Sequence, residues 1–340
     1  MGKINVAVLM GGRSAEREVS LSTGKMILRA LDPQKYNSFP VDTAVFGRNA
    51  LEPGMLSLSP ADGDPGALVK MLPLEAIASS NGSHPRPDVA FIALHGEFGE
   101  DGTVQGLLEL LQIPYVGSGV LASALAMDKI MARKLMKLEG IPIPAGIEVR
   151  RGANAAEVED RMARELGYPA VVKPNRQGST IGLSIAHEPS EVAGALELAF
   201  GYDEDVLIEA FIEGTEITGA VIGNDDLQVL PLIEIVPEGG FYDYHAKYTP
   251  GATEEIVPAR IPEKAYRRAE EISLACHRVL GCRGMSRTDM MVRGDDIYVL
   301  EVNTIPGMTP TSLLPRAAQA AGIEFPDLLD RLISLAFEKG

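Results

Sequence analysis

The sequence predicts a mixed α/β chain in which an open parallel α/β domain over residues 1–120 precedes two α+β domains over 121–212 and 213–340. Three observations carry this. A continuous apolar run from Ile4 to Met10 ends in Gly11-Gly12 and opens into a helical stretch, the order of a buried parallel strand feeding a turn and a helix. Tyr168 to Pro174 and Leu183 to Ile185 flank a short polar loop bracketed by Gly178 and Gly182, which reads as an antiparallel pair. Residues 287–303 alternate about Gly294-Asp295-Asp296 as a hairpin.

Composition limits what such a chain can bind. Its 340 residues allow two or three domains with a substantial core. With 31 basic against 47 acidic side chains the net charge is −16, so nucleic-acid backbones and anionic membranes are repelled at long range. Any anionic ligand must meet a local basic pocket. No apolar run reaches the roughly 18 to 20 residues of a membrane span, and the start MGKINVAVLMGG lacks a signal-peptide arrangement, so a cytoplasmic protein is expected. Cys276 and Cys282 read as buried thiols, and five scattered histidines argue against zinc.

Taken in order, the first strand ends at the edge where open α/β sheets bind ligands, with Glu16 just past the turn. Glu16 there either holds an ammonium group or is a surface helix residue. Residues 47–87, rich in Gly, Pro, Ser and Asp, read as an elaborated connection. A second buried strand from Asp88 to Leu94 brings His95 to the same edge, as a capped residue or as a ligand contact. Gly117-Ser118-Gly119 with Ala122 matches a dinucleotide pattern but follows the wrong strand and lacks the acidic partner at a strand end. Asp128 N-caps a helix that Gly140 and Pro142 stop, and its Lys129, Arg133, Lys134 and Lys137 read as a solvated basic face.

Lys173 inside an otherwise apolar strand needs an anionic partner or a path to solvent. The Gly178–Gly182 loop that follows either wraps phosphates with its N–H groups or is a plain hairpin. A helix over 190–200 and a strand over 205–212 close the central unit. Strands over 218–222 and 227–235 begin an antiparallel sheet, the aromatic-rich loop 237–253 reads as a lid, and a helix over 263–280 leads to the hairpin.

In the hairpin, alternation puts Thr288, Met290 and Val292 on one face with Tyr298, Leu300 and Val302. Arg287, Asp289, Glu301 and Asn303 occupy the other. A three-residue loop places Asp289 across from Glu301 and Arg287 across from Asn303; a two-residue loop separates their faces. Facing carboxylates with an Asn suit Mg²⁺ bound together with phosphates, while the bland alternative is a solvated acidic hairpin.

Eight stretches in order, VAVLMGGRSAEREVSL, LHGEFGEDG, MDK, VVKPNRQGSTIG, IEAFIEGTE, YDYHAKY, RTDMM and LEVNTIPGMTPTS, resemble the ATP-grasp superfamily and within it the D-alanine:D-alanine ligases. The resemblance covers nearly the whole chain. It implies an ATP-grasp fold in which the two α+β domains sandwich ATP, two Mg²⁺ ions (Mn²⁺ as a substitute), D-alanine as substrate, a homodimer and a role in peptidoglycan precursor synthesis. It also implies that Lys129 and Lys173 bind phosphates, with Lys173 and Glu209 near the adenine edge. Phe211 and Ile212 line the base pocket, Glu216 takes the ribose, Lys247 contacts the terminal phosphate, and Asp289, Glu301 and Asn303 hold metal.

For the amino acids, the same resemblance sets Glu16 against the first ammonium and His95 near its carboxylate. Glu16, Ser179 and Tyr248 form a linked set, Ser312 and the backbone at Leu313 hold the second carboxylate, and Arg287 with the Gly307 N–H stabilises the oxyanion. The chain departs from the commonest pattern in GSTIG, where a second serine is frequent, and at His245, where an acidic residue is usual. Tyr248 favours the dipeptide over D-alanyl-D-lactate. Another ATP-grasp carboxylate–amine ligase, or a D-lactate or D-serine ligase, would share the nucleotide residues; Glu16, His95, Tyr248 and Ser312 discriminate against it. A non-catalytic nucleotide-binding regulator would have lost some of Arg287, Asp289, Glu301 and Asn303, and all four are present.

Overall fold

The computed structural model describes residues 2–44, 85–239 and 251–338, with the backbones of the short strands Met55–Leu56, Val69–Lys70 and Leu72–Pro73. Most of the connection over 47–87, and residues 240–250 of the expected lid with Lys247 and Tyr248, lie outside the described residues.

The apolar run Ile4–Met10 is the middle strand of a five-stranded sheet, between Tyr36–Asp42 and Val89–Ile92, with Leu72–Pro73 and Tyr115–Val116 at the edges. Every pairing is parallel, and such sheets are covered on both faces. Val6, Val8 and Met10 pack with helices Arg17–Ala30 and Phe325–Phe337, whereas Ala7 and Leu9 pack with helix Thr103–Leu110. Helix Phe325–Phe337, far along the chain, therefore completes the core on one face of the first sheet.

Four antiparallel strands, in the order Ser184–Ala186, Ala170–Pro174, Asp205–Ala210 and Gly146–Arg150, make the second sheet. Helices Ala155–Glu165 and Val192–Phe200 cover one face through Val158, Met162 and Leu196. Alternation sends Val171, Lys173 and Glu209 to the other face.

The third sheet runs Thr253–Ile256, Ile233–Pro237, Thr215–Gly223, Gly284–Arg293, Asp296–Asn303, with Gln228–Val229 added to Thr215–Gly223. The single strand expected over 227–235 is split at Pro231, which has no N–H for the ladder. Helices Glu263–Val279 and Lys129–Leu138 pack on one face through Ala269, Ile272, Ala132 and Met136, and both cysteines are buried free thiols there.

The hairpin reaches the expected pairing by a different route. Arg293 faces Asp296, so the loop is only Gly294-Asp295, and the pairs continue in that register to Met290 opposite Val299. A β-bulge then leaves Leu300 unmatched, which restores Asp289 opposite Glu301 and Arg287 opposite Asn303. The bulge also corrects the apolar set. Ile297, Val299 and Val302 enter the core, whereas Tyr298 and Leu300 turn to the other face.

Candidate active site

Buried hydroxyls tie the strand ends of the first sheet together. Ser20 Oγ accepts from Gly11 N (2.9 Å) and donates to Ala93 O (2.6 Å), and Ser14 Oγ donates to His95 O (2.7 Å). Asp42 takes both terminal nitrogens of Arg17 and the Ala44 N–H, which holds its carboxyl below the usual range despite burial. This frame fixes Glu16 and His95 side by side. A Cβ on Gly96, where φ is +71°, would stand 2.8 Å from Glu16 Oε2, so only glycine admits the carboxylate there.

Glu16 is buried and accepts a hydrogen bond from Ser179 Oγ, 163 residues on in the chain. Ser179 and Thr180 have left-handed φ of 50° and 63°, which curls the glycine loop over Glu16. His95 is buried with Nε2 3.3 Å from Thr23 Oγ1; burial pushes the imidazole below its usual range, against the opposing pull of Glu16, so it is neutral near pH 7.

The basic helix face is not solvated at its first two positions. Lys129 and Arg133 are turned inward because their partners, remote in sequence, lie there: Lys129 Nζ donates to Gln177 O (2.6 Å) and stands 3.4 Å from Glu301, while Arg133 pairs with Glu209. Lys134 and Lys137 are exposed as expected. Lys173 finds its anion in Glu209, 2.5 Å away, so Glu209 is clamped between two cations. Lys129, Lys173, Glu209, Phe211, Ile212 and Glu216 all line one cavity of about 400 Å³ between the second and third sheets, which Leu300 reaches through the bulge.

A second cavity, of about 490 Å³, is lined by Glu16, His95, Ser179, Arg287, Asn303, Gly307, Ser312 and Leu313. Glu301 forms part of both walls, and Asp289 belongs to the first. Asp289 accepts from Thr218 Oγ1 (2.6 Å), Arg287 Nε (2.9 Å) and Nη2 (2.7 Å), and Asn303 Nδ2 (3.2 Å). Ser312 stands at the N-cap position of helix Leu313–Ala320, and its Oγ, turned away from the helix, accepts from Thr309 N at 3.1 Å. The described residues thus join an apolar-walled pocket with lysines to a polar cavity at a pair of facing carboxylates. That is the layout for moving a phosphoryl group onto a small acid.

Sequence reasoning reads Arg133 as solvated and gives no site role to Thr218, Glu100 or Glu255. Arg133 and Thr218 act through partners 76 and 71 residues away, which no local pattern reveals. Glu100 lies inside the LHGEFGEDG stretch. It lines the polar cavity, accepts from Gly96 N at 2.7 Å, and is pushed up to about 8 by burial and by Glu16. The folded state therefore keeps a proton that the unfolded chain loses, and stability falls as pH rises from 4.5 to about 8. Thermal unfolding of Glu100→Gln across this range is expected to show a weaker pH slope than wild type; an unchanged slope would contradict the assignment.

Two family descriptions match the chain: "D-ala D-ala ligase N-terminus" over residues 5–118 and "D-ala D-ala ligase C-terminus" over 135–334. A D-alanine–D-alanine ligase of Pelotomaculum thermopropionicum is 47% identical, with 98% of this chain and 97% of the relative covered. One from Syntrophobacter fumaroxidans is 48% identical over 99% and 98%. Among solved structures, the Bacillus anthracis D-alanine–D-alanine ligase complexed with ATP superposes with a TM-score of 0.77 at 36% identity, covering 98% of this chain and 97% of that one. The VanG D-Ala:D-Ser ligase of Enterococcus faecalis gives 0.80 at 34%, covering 98% and 100%.

Proposed function

The chain belongs to the D-alanine–D-alanine ligase family, and from that premise we infer that it has the ATP-grasp fold and joins two D-alanine molecules at the expense of ATP. The dipeptide serves peptidoglycan synthesis. The observation that carries the reading is Glu301, a wall of both the nucleotide-type cavity and the polar cavity.

On this reading the donor D-alanine carboxylate attacks the γ-phosphate, giving ADP and a D-alanyl phosphate, and the acceptor's amine then displaces phosphate. Lys129 and Lys173 lie in the nucleotide cavity, where they offset phosphate charge, and Glu216 there takes the ribose hydroxyls. Phe211 and Ile212 pack on the base. Glu16 holds the donor ammonium while neutral His95 stands at its carboxylate. Arg287 and the Gly307 N–H stabilise the oxyanion, and Ser312 with the Leu313 N–H, at a helix N-terminus, holds the acceptor carboxylate. Lys247 and Tyr248 keep the roles the resemblance implies, at the terminal phosphate and in the linked set with Glu16 and Ser179.

Asp289, Glu301 and Asn303 would hold Mg²⁺, two ions in all, or Mn²⁺. The fit rests on the donors: hard oxygens on adjacent strands, with Asp289 and Glu301 directly opposed at the junction of the cavities. When bound, the metal neutralises charge on the transferring phosphoryl group. We divide the chain into residues 1–120, 121–212 and 213–340 and place the enzyme in the cytoplasm as a homodimer; no described helix is long and apolar enough to cross a membrane. Phosphate release by pure protein with ATP and Mg²⁺ tests the function. D-alanine-dependent release is expected, and release indifferent to D-alanine would overturn it.

A further inference from the structure

Of the carboxylates that line the polar cavity, Glu16 is engaged by Ser179, Glu18 is exposed in the first turn of helix Arg17–Ala30, Glu301 stands beside Lys129, and Glu100 takes the Gly96 N–H. Glu255 differs from these in its place and its contacts. It lies on strand Thr253–Ile256, at the base of the expected lid, and lines the same cavity as Ser312, Leu313 and Arg287. Arg316 Nη1 donates to its Oε2 at 2.6 Å, and Nη2 donates to its backbone carbonyl. Arg316 is not part of the cavity wall, so it holds Oε2 from outside. Oε1 has no hydrogen-bond partner among the described residues, and the side chain keeps 15% of its surface open.

Position along helix Leu313–Ala320 relates Glu255 to the acceptor end. Arg316 lies one turn beyond Ser312, about 6 Å along the axis at 1.5 Å per residue. The carboxylate paired with Arg316 therefore stands beside the first turn of the helix whose N-terminus is read as the acceptor carboxylate site. An α-amino acid carries its ammonium next to its carboxylate, and a cation near Oε1 would complete the coordination that Arg316 leaves half made. Burial outweighs Arg316 and the more distant charge of Arg287 and raises the Glu255 carboxyl above its usual range, as befits a group that binds a proton readily.

We propose that Glu255 receives the ammonium of the acceptor amino acid through Oε1 and takes its proton. The assignment rests on the ligase reading above. One ammonium proton passes to Oε1, and the freed lone pair attacks the acyl carbon of the D-alanyl phosphate. The C–N bond forms with the carbonyl pair moving onto oxygen, and as that oxyanion collapses the C–O bond to phosphate breaks, the phosphate leaves with its electron pair, and the second proton on nitrogen goes to the departing phosphate. A hydroxy acid brings no ammonium to Glu255, so this residue sets preference for an amine acceptor.

Glu255→Gln keeps an acceptor atom for Arg316 while removing the charge. The two D-alanine sites are separated by measuring acceptor-dependent dipeptide formation beside positional isotope exchange within ATP, which needs the donor alone. The variant is expected to lose about a hundredfold in kcat/KM for acceptor D-alanine, while the exchange falls by less than about threefold and D-lactate gains on D-alanine in competition. Equal losses in both measurements, or an acceptor parameter equal to wild type, would overturn the assignment. Glu255→Asp, which retains the charge one methylene further back, guards against misfolding. It is expected to raise the acceptor KM while keeping amine preference, and an unmoved acceptor KM would count against the proposal. A wild type that makes no dipeptide would instead overturn the ligase reading, and this assignment with it.

Discussion

Glu301→Gln is expected to lower D-alanine-dependent turnover by at least about a hundredfold while moving the unfolding midpoint by only a few degrees. The side chain stands at the junction of the two cavities, opposite Asp289 and 3.4 Å from Lys129. Its amide replacement keeps the volume and removes the charge that a divalent cation requires. Lys129 retains the Gln177 carbonyl at 2.6 Å, so the fold does not depend on the lost ion pair. Turnover at saturating ATP across a Mg²⁺ titration, beside a thermal melt of the apo-protein, reads both effects. Near-normal activity in this variant would contradict the metal assignment.

Arg287→Met is expected to remove both chemical steps and to destabilise the fold by about 3 kcal/mol. The sequence divides the hairpin by role, with Asp289, Glu301 and Asn303 in phosphoryl transfer and Arg287 in peptide-bond formation. The structure joins them, because Arg287 grips both oxygens of Asp289 in a largely buried pair. Without the guanidinium, Asp289 keeps Thr218 and Asn303 but loses the one cation paired with it among the described residues, and removing one partner of such a pair leaves a costly buried charge. Positional isotope exchange is therefore expected to fall together with dipeptide formation. Exchange at the wild-type rate in Arg287→Met, with only dipeptide lost, would show that Arg287 acts in the second step alone.

The hairpin illustrates what a sequence shows and what it hides. Alternation identified Arg287, Asp289, Glu301 and Asn303 as one face, and they are. Loop length could not be read, and the expected three-residue loop is two residues plus a bulge at Leu300, because one extra residue in either place gives the same distal register. The strand Ile4–Met10 was legible to the residue, since a parallel strand buried on both faces leaves an uninterrupted apolar run. Lys173 was legible as a charge in need of a partner, and Glu209 is that partner.

On local pattern alone Lys129 and Arg133 read as solvated, because the partners that turn them inward come from other elements. Glu255 carried no local signal either; its meaning comes from Arg316, 61 residues on, and from the cavity both elements frame. Individual motifs were weak, and their order along the chain supplied the specificity.

Product identification by mass tests the central claim most directly. The protein is incubated with ATP, Mg²⁺ and an equimolar mixture of D-alanine, D-lactate and D-serine near neutral pH. D-alanyl-D-alanine as the dominant product, formed with stoichiometric ADP, is the predicted result. A dominant D-alanyl-D-lactate or D-alanyl-D-serine product, or ADP formed without any ligated product, would contradict it.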